Sequence, residues 1–148
     1  MKKLVAVVAL LAAPAFAQKM PPPQNPQPHE PGGAQSSYVL KVEAPPAKKG
    51  QKSVAKIHIT PGAGYHMNKE YPTSLVLSAV PAGVMVDKMK WTMKDAAKWE
   101  EAGGEFDVAY TSTEAGKKVV SGEIKFAVCS ATTCDPKKSN VSFEIDVK

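Results

Sequence analysis

The chain reads as an all-β protein, an immunoglobulin-like antiparallel β-sandwich, on three observations. Apolar residues alternate with polar ones at a period of two in seven short segments. The segments are separated by turns rich in proline and glycine. Only one short stretch between them suits a helical turn or two, so neighbouring strands connect without crossover helices and pair antiparallel.

The first strand is Tyr38 to Val42, after which APPAKKGQ supplies a turn. From Val54 to Thr60, Ala55, Ile57 and Ile59 oppose Lys56, His58 and Thr60, one face apolar and one polar. The long connection TPGAGYHMNKEYP then leads to a third strand, SLVLSA at 74–79. After VPAGV, Val84 to Trp91 places Met85, Met89 and Trp91 on one side, and these, with Met93, read as packing residues. KDAAKWEEA, residues 94–102, is the one stretch that suits a helical turn or two. Phe106, Val108 and Tyr110 alternate in EFDVAYT, TEAGKK turns the chain, and Ile124, Phe126 and Val128 form the inner face of 120–128. The last strand, NVSFEIDV, sets Val141, Phe143, Ile145 and Val147 against Ser142, Glu144 and Asp146. No Cys…Trp…Cys signature is present, which excludes an antibody-type domain.

The N-terminus has the grammar of an export signal. Two lysines precede an apolar run from Leu4 to Ala13, and Ala15-Phe16-Ala17 is a small-x-small cleavage pattern, so residues 1–17 are expected to leave as a signal peptide. Residues 18–37, with six prolines between Pro21 and Pro31 and His29 among them, read as an extended flexible leader. Residues 38–148 remain as one domain of about 110 residues, enough for a single core. No later stretch is apolar and long enough to span a bilayer, so no stable membrane insertion is expected. The destination is periplasmic, where a pair of cysteines is normally oxidised.

Nineteen lysines and no arginine face 14 acids; without Lys2 and Lys3 the balance is 17 − 14 = +3. Nucleic-acid sites lean on arginine and on basic clusters interleaved with aromatics, and neither occurs, so nucleic acid is excluded as a partner. The lysines read as a solvated face with at most a weak attraction to an anionic membrane surface. No Ser-His-Asp arrangement or phosphate loop stands out.

Chemistry concentrates in 126-FAVCSATTCDPKK-138, which holds the only two cysteines, Cys129 and Cys134. Ser130 to Thr133 reads as the tip of a connection between neighbouring strands, which places the two cysteines opposite each other near the ~5.5 Å Cα separation a disulfide prefers. Three chemistries fit this spacing. A structural staple closing so small a loop contributes roughly 2 kcal/mol at best. A metal grip would recruit His66 or His58, with Met67 for a soft copper(I) site, and would need reduced thiols. Redox exchange suits the small polar tip SATT, which leaves the sulfurs unburied by their own loop. Cys134 is expected to be the more accessible sulfur, beside Lys137 and Lys138, which favour a thiolate, while Cys129 ends an apolar strand. His66 and Asn68 are read as ordering the loop before SLVL, with His66 bonded to backbone. Glu100, Glu101 and Glu105 would raise the pKa of a thiol lying near them.

Two segments carry a resemblance. GEIKFAVCSATTCDPKKSNVSFEIDV at the C-terminus and 64-GYHMNKEYPTSLVL-77 are similar to the N-terminal periplasmic domain of the thiol:disulfide interchange protein DsbD, and the resemblance covers roughly residues 38–148. It implies an immunoglobulin-like sandwich in which Cys129 and Cys134 are the exchanging pair. It also implies partners: a membrane electron transducer that supplies electrons and thioredoxin-like periplasmic proteins that take them, without a cofactor. The chain would then be one component of a protein-disulfide reductase. Asp135-Pro136 follows the second cysteine where the family has an apolar residue and two prolines. The family's aromatic cap over the cysteines has Trp99 and Phe106 as its nearest candidates here. The alternative class is a non-catalytic exported β-domain with a structural disulfide that binds a partner protein or copper.

Overall fold

The computed structural model describes residues 36–148. The expected signal peptide at 1–17 lies outside them, as does the leader at 18–37 apart from Ser36 and Ser37. The strands are β1 (Tyr38–Glu43), β2 (Lys52–Pro61), β3 (His66–Met67), β4 (Ser74–Ala79), β5 (Val84–Val86), β6 (Lys90–Thr92), β7 (Lys98–Glu100), β8 (Gly103–Ser112), β9 (Gly116–Cys129) and β10 (Cys134–Val147). One sheet runs β1-β2-β8-β5 with β7 also on β8; the other runs β10-β9-β4-β6 with β3 also on β9. Every pairing between these strands is antiparallel. This is the immunoglobulin-like sandwich the alternation predicts, an ABED-type sheet facing a GFC-type sheet.

The core is built from the residues that the period of two selects. Ala55, Ile57, Ile59, Phe106, Val108 and Tyr110 come from the first sheet; Ile124, Phe126, Val128, Val141, Phe143, Ile145 and Val147 come from the second. Tyr110 also donates its hydroxyl to the carbonyl of Pro45 at 3.4 Å, so its one polar atom is satisfied. The turn in VPAGV closes with Val84 N–H on the Pro81 carbonyl at 3.1 Å, and Gly83 takes φ +78°, a conformation L side chains resist.

Three expectations are corrected. The single strand expected over 84–91 is two: β5 pairs with β8 in one sheet and β6 with β4 in the other. The chain changes sheet between Val86 and Lys90, which breaks the period, so Val84 and Trp91 face the core while Met85 and Met89 are exposed. The helical turn expected over 94–102 is confined to a 3-10 turn at Met93–Asp95, and residues 98–100 are β7. Asp95 closes the start of that turn as a capping box on Thr92, accepting from its N–H and its hydroxyl at 2.8 Å each, and the turn ends at Ala96, which is extended. The last strand begins at Cys134 rather than near Asn140, because DPKKS pairs with 124–128.

Pro136 is compatible with that extension for a reason visible in the register. Asp146 C=O and Lys148 N–H bond to Ala47 on the side away from β9. With an unbroken register, Pro136 shares their parity, so its missing N–H would have pointed outward and no ladder bond is lost. No helix among the described residues is long and apolar enough to cross a membrane.

Candidate functional site

The two cysteines face each other across the tip of the β9–β10 hairpin and are joined as a disulfide. Ser130 N–H donates to Thr133 C=O at 2.8 Å, which makes 130/133 a hydrogen-bonded pair and leaves 129/134 as the adjacent non-hydrogen-bonded pair. Cα atoms come closest at such positions. The separation is accordingly 3.9 Å, shorter than the spacing expected from the sequence. The Ser130 hydroxyl oxygen accepts from Thr132 N–H at 3.3 Å and Thr133 N–H at 3.2 Å, so the polar tip is ordered by its own first side chain.

The two sulfurs are not equivalent. Cys129 is only 4 % exposed, whereas Cys134 is an exposed residue. Alternation puts Ile124, Phe126 and Val128 on the core face, yet Ala127 and Cys129 on the opposite face are buried too. The apolar run FAVC is the signal of that double burial, since a strand covered on both faces has no position left for water. The connection between β3 and β4 starts at the edge of β9 beside these residues. It is held down by Asn68, whose N–H donates to Ala127 C=O at 2.9 Å.

Asn68 is the residue that touches the disulfide. Its Nδ2 lies 3.5 Å from Cys129 Sγ and 3.7 Å from Cys134 Sγ. Its Oδ1 accepts from Glu70 N–H at 2.8 Å and Tyr71 N–H at 3.0 Å, the asparagine turn expected of a residue that orders a loop. Its carbonyl accepts from Trp99 Nε1–H at 3.3 Å. Trp99 lies on Gly104, where a Cβ would fall 2.4 Å from the indole ring, and tilts against Phe106 at 5.7 Å. Trp99 therefore reaches the disulfide through Asn68, and Phe106 is a fully buried core residue rather than a cap.

His66 pairs in register with Cys129, and β3 is tied on its other side by Met67 N–H to Glu101 C=O at 2.9 Å. An open depression beside the buried sulfur is lined by His66, Met67, Asn68, Lys69, Glu70, Glu101 and Cys129. Lys69 and Glu101 form an ion pair of 3.1 Å there. The Lys69 ammonium, helped by His66, holds the Glu101 carboxyl below its ordinary value. Of the three acids considered as neighbours of the thiols, Glu101 alone lines this depression. Glu100 pairs with Lys98, and Glu105 pairs with Lys56 and His58. The expected backbone bond of His66 is not present among the described residues' hydrogen bonds; its side chain is exposed.

The other sequence candidates are drawn elsewhere. Met67 is 1 % exposed and belongs to the core, and His58 sits in the first sheet between Glu105 at 3.1 Å and Glu43 at 3.8 Å. Among the described residues no cluster of three or more His, Cys, Asp or Glu side chains is placed to hold a metal. Lys137 is paired with Asp135, and Lys138 with Glu123 at 2.8 Å, so both lysines have carboxylate partners next to Cys134.

No family model matches the chain, and no curated protein matches it. Among solved structures, it is similar to the crystal structure of AggA, the major subunit of aggregative adherence fimbriae type I from Escherichia coli, at 8% identity and a TM-score of 0.37 over 78% of this chain and 98% of that one. It is also similar to the ASH/PapD-like domain of human CEP192, at 10% identity and a TM-score of 0.34 over 86% of this chain and 96% of that one.

Proposed function

We propose that the protein is an exported, periplasmic thiol–disulfide exchange module, passing electrons from a membrane-embedded reductant to thioredoxin-like partners through Cys129 and Cys134. The observation that carries this reading is a disulfide at a hairpin tip with one sulfur exposed and the other buried behind a hydrogen-bonding amide. The resemblance of residues 64–77 and 122–147 to the DsbD N-terminal domain supports the same reading, as does the redundancy of the bond in a hairpin whose strands are 14 residues each.

In the exchange, an incoming thiolate attacks Cys134 Sγ in line with the disulfide. A new S–S bond forms to Cys134, the Cys129–Cys134 bond breaks, and its electron pair leaves on Cys129 Sγ. A second thiol of the donor then attacks the mixed disulfide and expels Cys134 as thiolate. The donor dithiol is oxidised by two electrons, and the domain takes up two electrons and two protons. Running the two steps in reverse delivers the electrons to a partner disulfide.

The test is trapping. Cys129→Ser leaves Cys134 without its resolving partner and is expected to accumulate a mixed disulfide with a thioredoxin-like protein or membrane transducer, resolved on a non-reducing gel. Cys134→Ser is expected to accumulate far less. Failure of both variants to trap any partner, with partners present, would sink the exchange reading; equal trapping would remove only the asymmetry.

A further inference from the structure

We infer that Asn68 is a catalytic residue of this site, its carboxamide stabilising the thiolate released on Cys129; the inference rests on the exchange reading above. Among the described residues Asn68 is the one side chain with a hydrogen-bond donor on the sulfurs, and it reaches both. The orientation of the amide is settled by the network. With Oδ1 engaged by two backbone N–H groups, the other end of the carboxamide is the NH₂, and it points at the disulfide.

The need for such a donor follows from burial. Attack at the exposed Cys134 expels a thiolate on Cys129, which is 4 % exposed, and a buried anion without a partner is strongly disfavoured. The charged groups around it give little direct help. Lys69 is committed to Glu101, Lys137 to Asp135 and Lys138 to Glu123. His66 shares the depression with two carboxylates, Glu70 and Glu101. A neutral donor held at 3.5 Å strengthens into a charge-assisted hydrogen bond as negative charge arrives, with no reorganisation, because both ends of the carboxamide are already anchored.

The experiment compares wild type, Asn68→Ala and Asn68→Asp by two rates: reduction of the oxidised protein by dithiothreitol, and iodoacetamide alkylation of the reduced protein as a function of pH. Asn68→Ala is expected to slow reduction about tenfold and to move the alkylation midpoint to higher pH, the effect of losing one hydrogen bond to a charged group. Asn68→Asp retains the acceptor for Glu70 and Tyr71 N–H, so the loop stays ordered, but it sets a carboxylate against the sulfurs. It should be slower still, and it decides the matter if the alanine variant loses its fold. A folded Asn68→Asp protein with rates equal to or faster than wild type overturns the assignment. The two hypotheses fail separately. Absence of trapped partners with a clear Asn68 effect sinks the exchange reading, and trapped partners with unchanged Asn68 variants sink this one.

Discussion

At the scale of single residues, the site depends on short polar side chains satisfying backbone groups where strands give way to loops. Asn68 orders the turn from Asn68 to Tyr71 and still has its NH₂ free to meet two sulfurs, and Ser130 does the equivalent work at the hairpin tip. Thr73 is the exception. It is 3 % exposed, and its hydroxyl has no hydrogen-bond partner among the described residues, although its N–H bonds to Tyr71 C=O at 2.7 Å. An unpaired buried hydroxyl keeps its desolvation cost and returns nothing. Thr73→Val, which conserves shape and β-branching, is therefore expected to raise stability by about 1 kcal/mol. A urea midpoint that falls in the variant would show that the hydroxyl is in fact satisfied.

At the scale of elements, the β9–β10 hairpin is held together by far more than its disulfide. The ladder continues from Cys129↔Cys134 to Gly116↔Val147, and Val141, Phe143 and Ile145 anchor it in the core. The bond closes a loop of only six residues at the far end of that ladder, a contribution of about 2 kcal/mol in the chain-entropy account. Reduction by dithiothreitol is accordingly expected to leave the far-UV and near-UV circular dichroism essentially unchanged and to lower the unfolding midpoint modestly. Collapse of the near-UV signal on reduction would mean the tip organises the sandwich after all. β7 plays a quieter part: its Trp99 covers Gly104 across the ladder and donates to the Asn68 carbonyl, so a three-residue strand links the first sheet to the disulfide on the second.

At the scale of the whole molecule, exposed lysine–carboxylate pairs cover the sandwich, each worth little alone. Their pKa directions define a plateau. Lys41, Lys88, Lys69, Lys118 and Lys138 hold Glu43, Asp95, Glu101, Glu114 and Glu123 below their ordinary values. A lowered carboxyl contributes stability that is fully present above its unfolded value, 4.5 for glutamate and 3.8 for aspartate, and is lost as pH falls through the folded one. Glu105 raises Lys56, Glu144 raises Lys117, and burial raises Tyr110. The lysine contributions are present below 10.5 and are lost above it, and above 10.0 ionising the buried Tyr110 hydroxyl adds a cost. As far as these groups govern it, the melting temperature should be nearly flat between pH 5 and 9 and fall on either side. A maximum confined to acid pH would contradict this account.

Sequence alone determined the fold class, the inner face of most strands, and the opposition of Cys129 and Cys134, because a period of two and a short polar tip are local properties of the chain. It also marked Asn68 as a loop-ordering residue and Cys134 as the more accessible sulfur. The sheet change between Val86 and Lys90, the strand at Lys98–Glu100 and the early start of β10 at Cys134 were decided by partners elsewhere, which override local pattern. The contact that matters most for the chemistry belongs to this second kind. Asn68 and Cys129 are 61 residues apart, and no spacing rule joins them. Only the pairing of β3 beside the end of β9, His66 opposite Cys129 and Met67 opposite Val128, carries the carboxamide to the sulfurs.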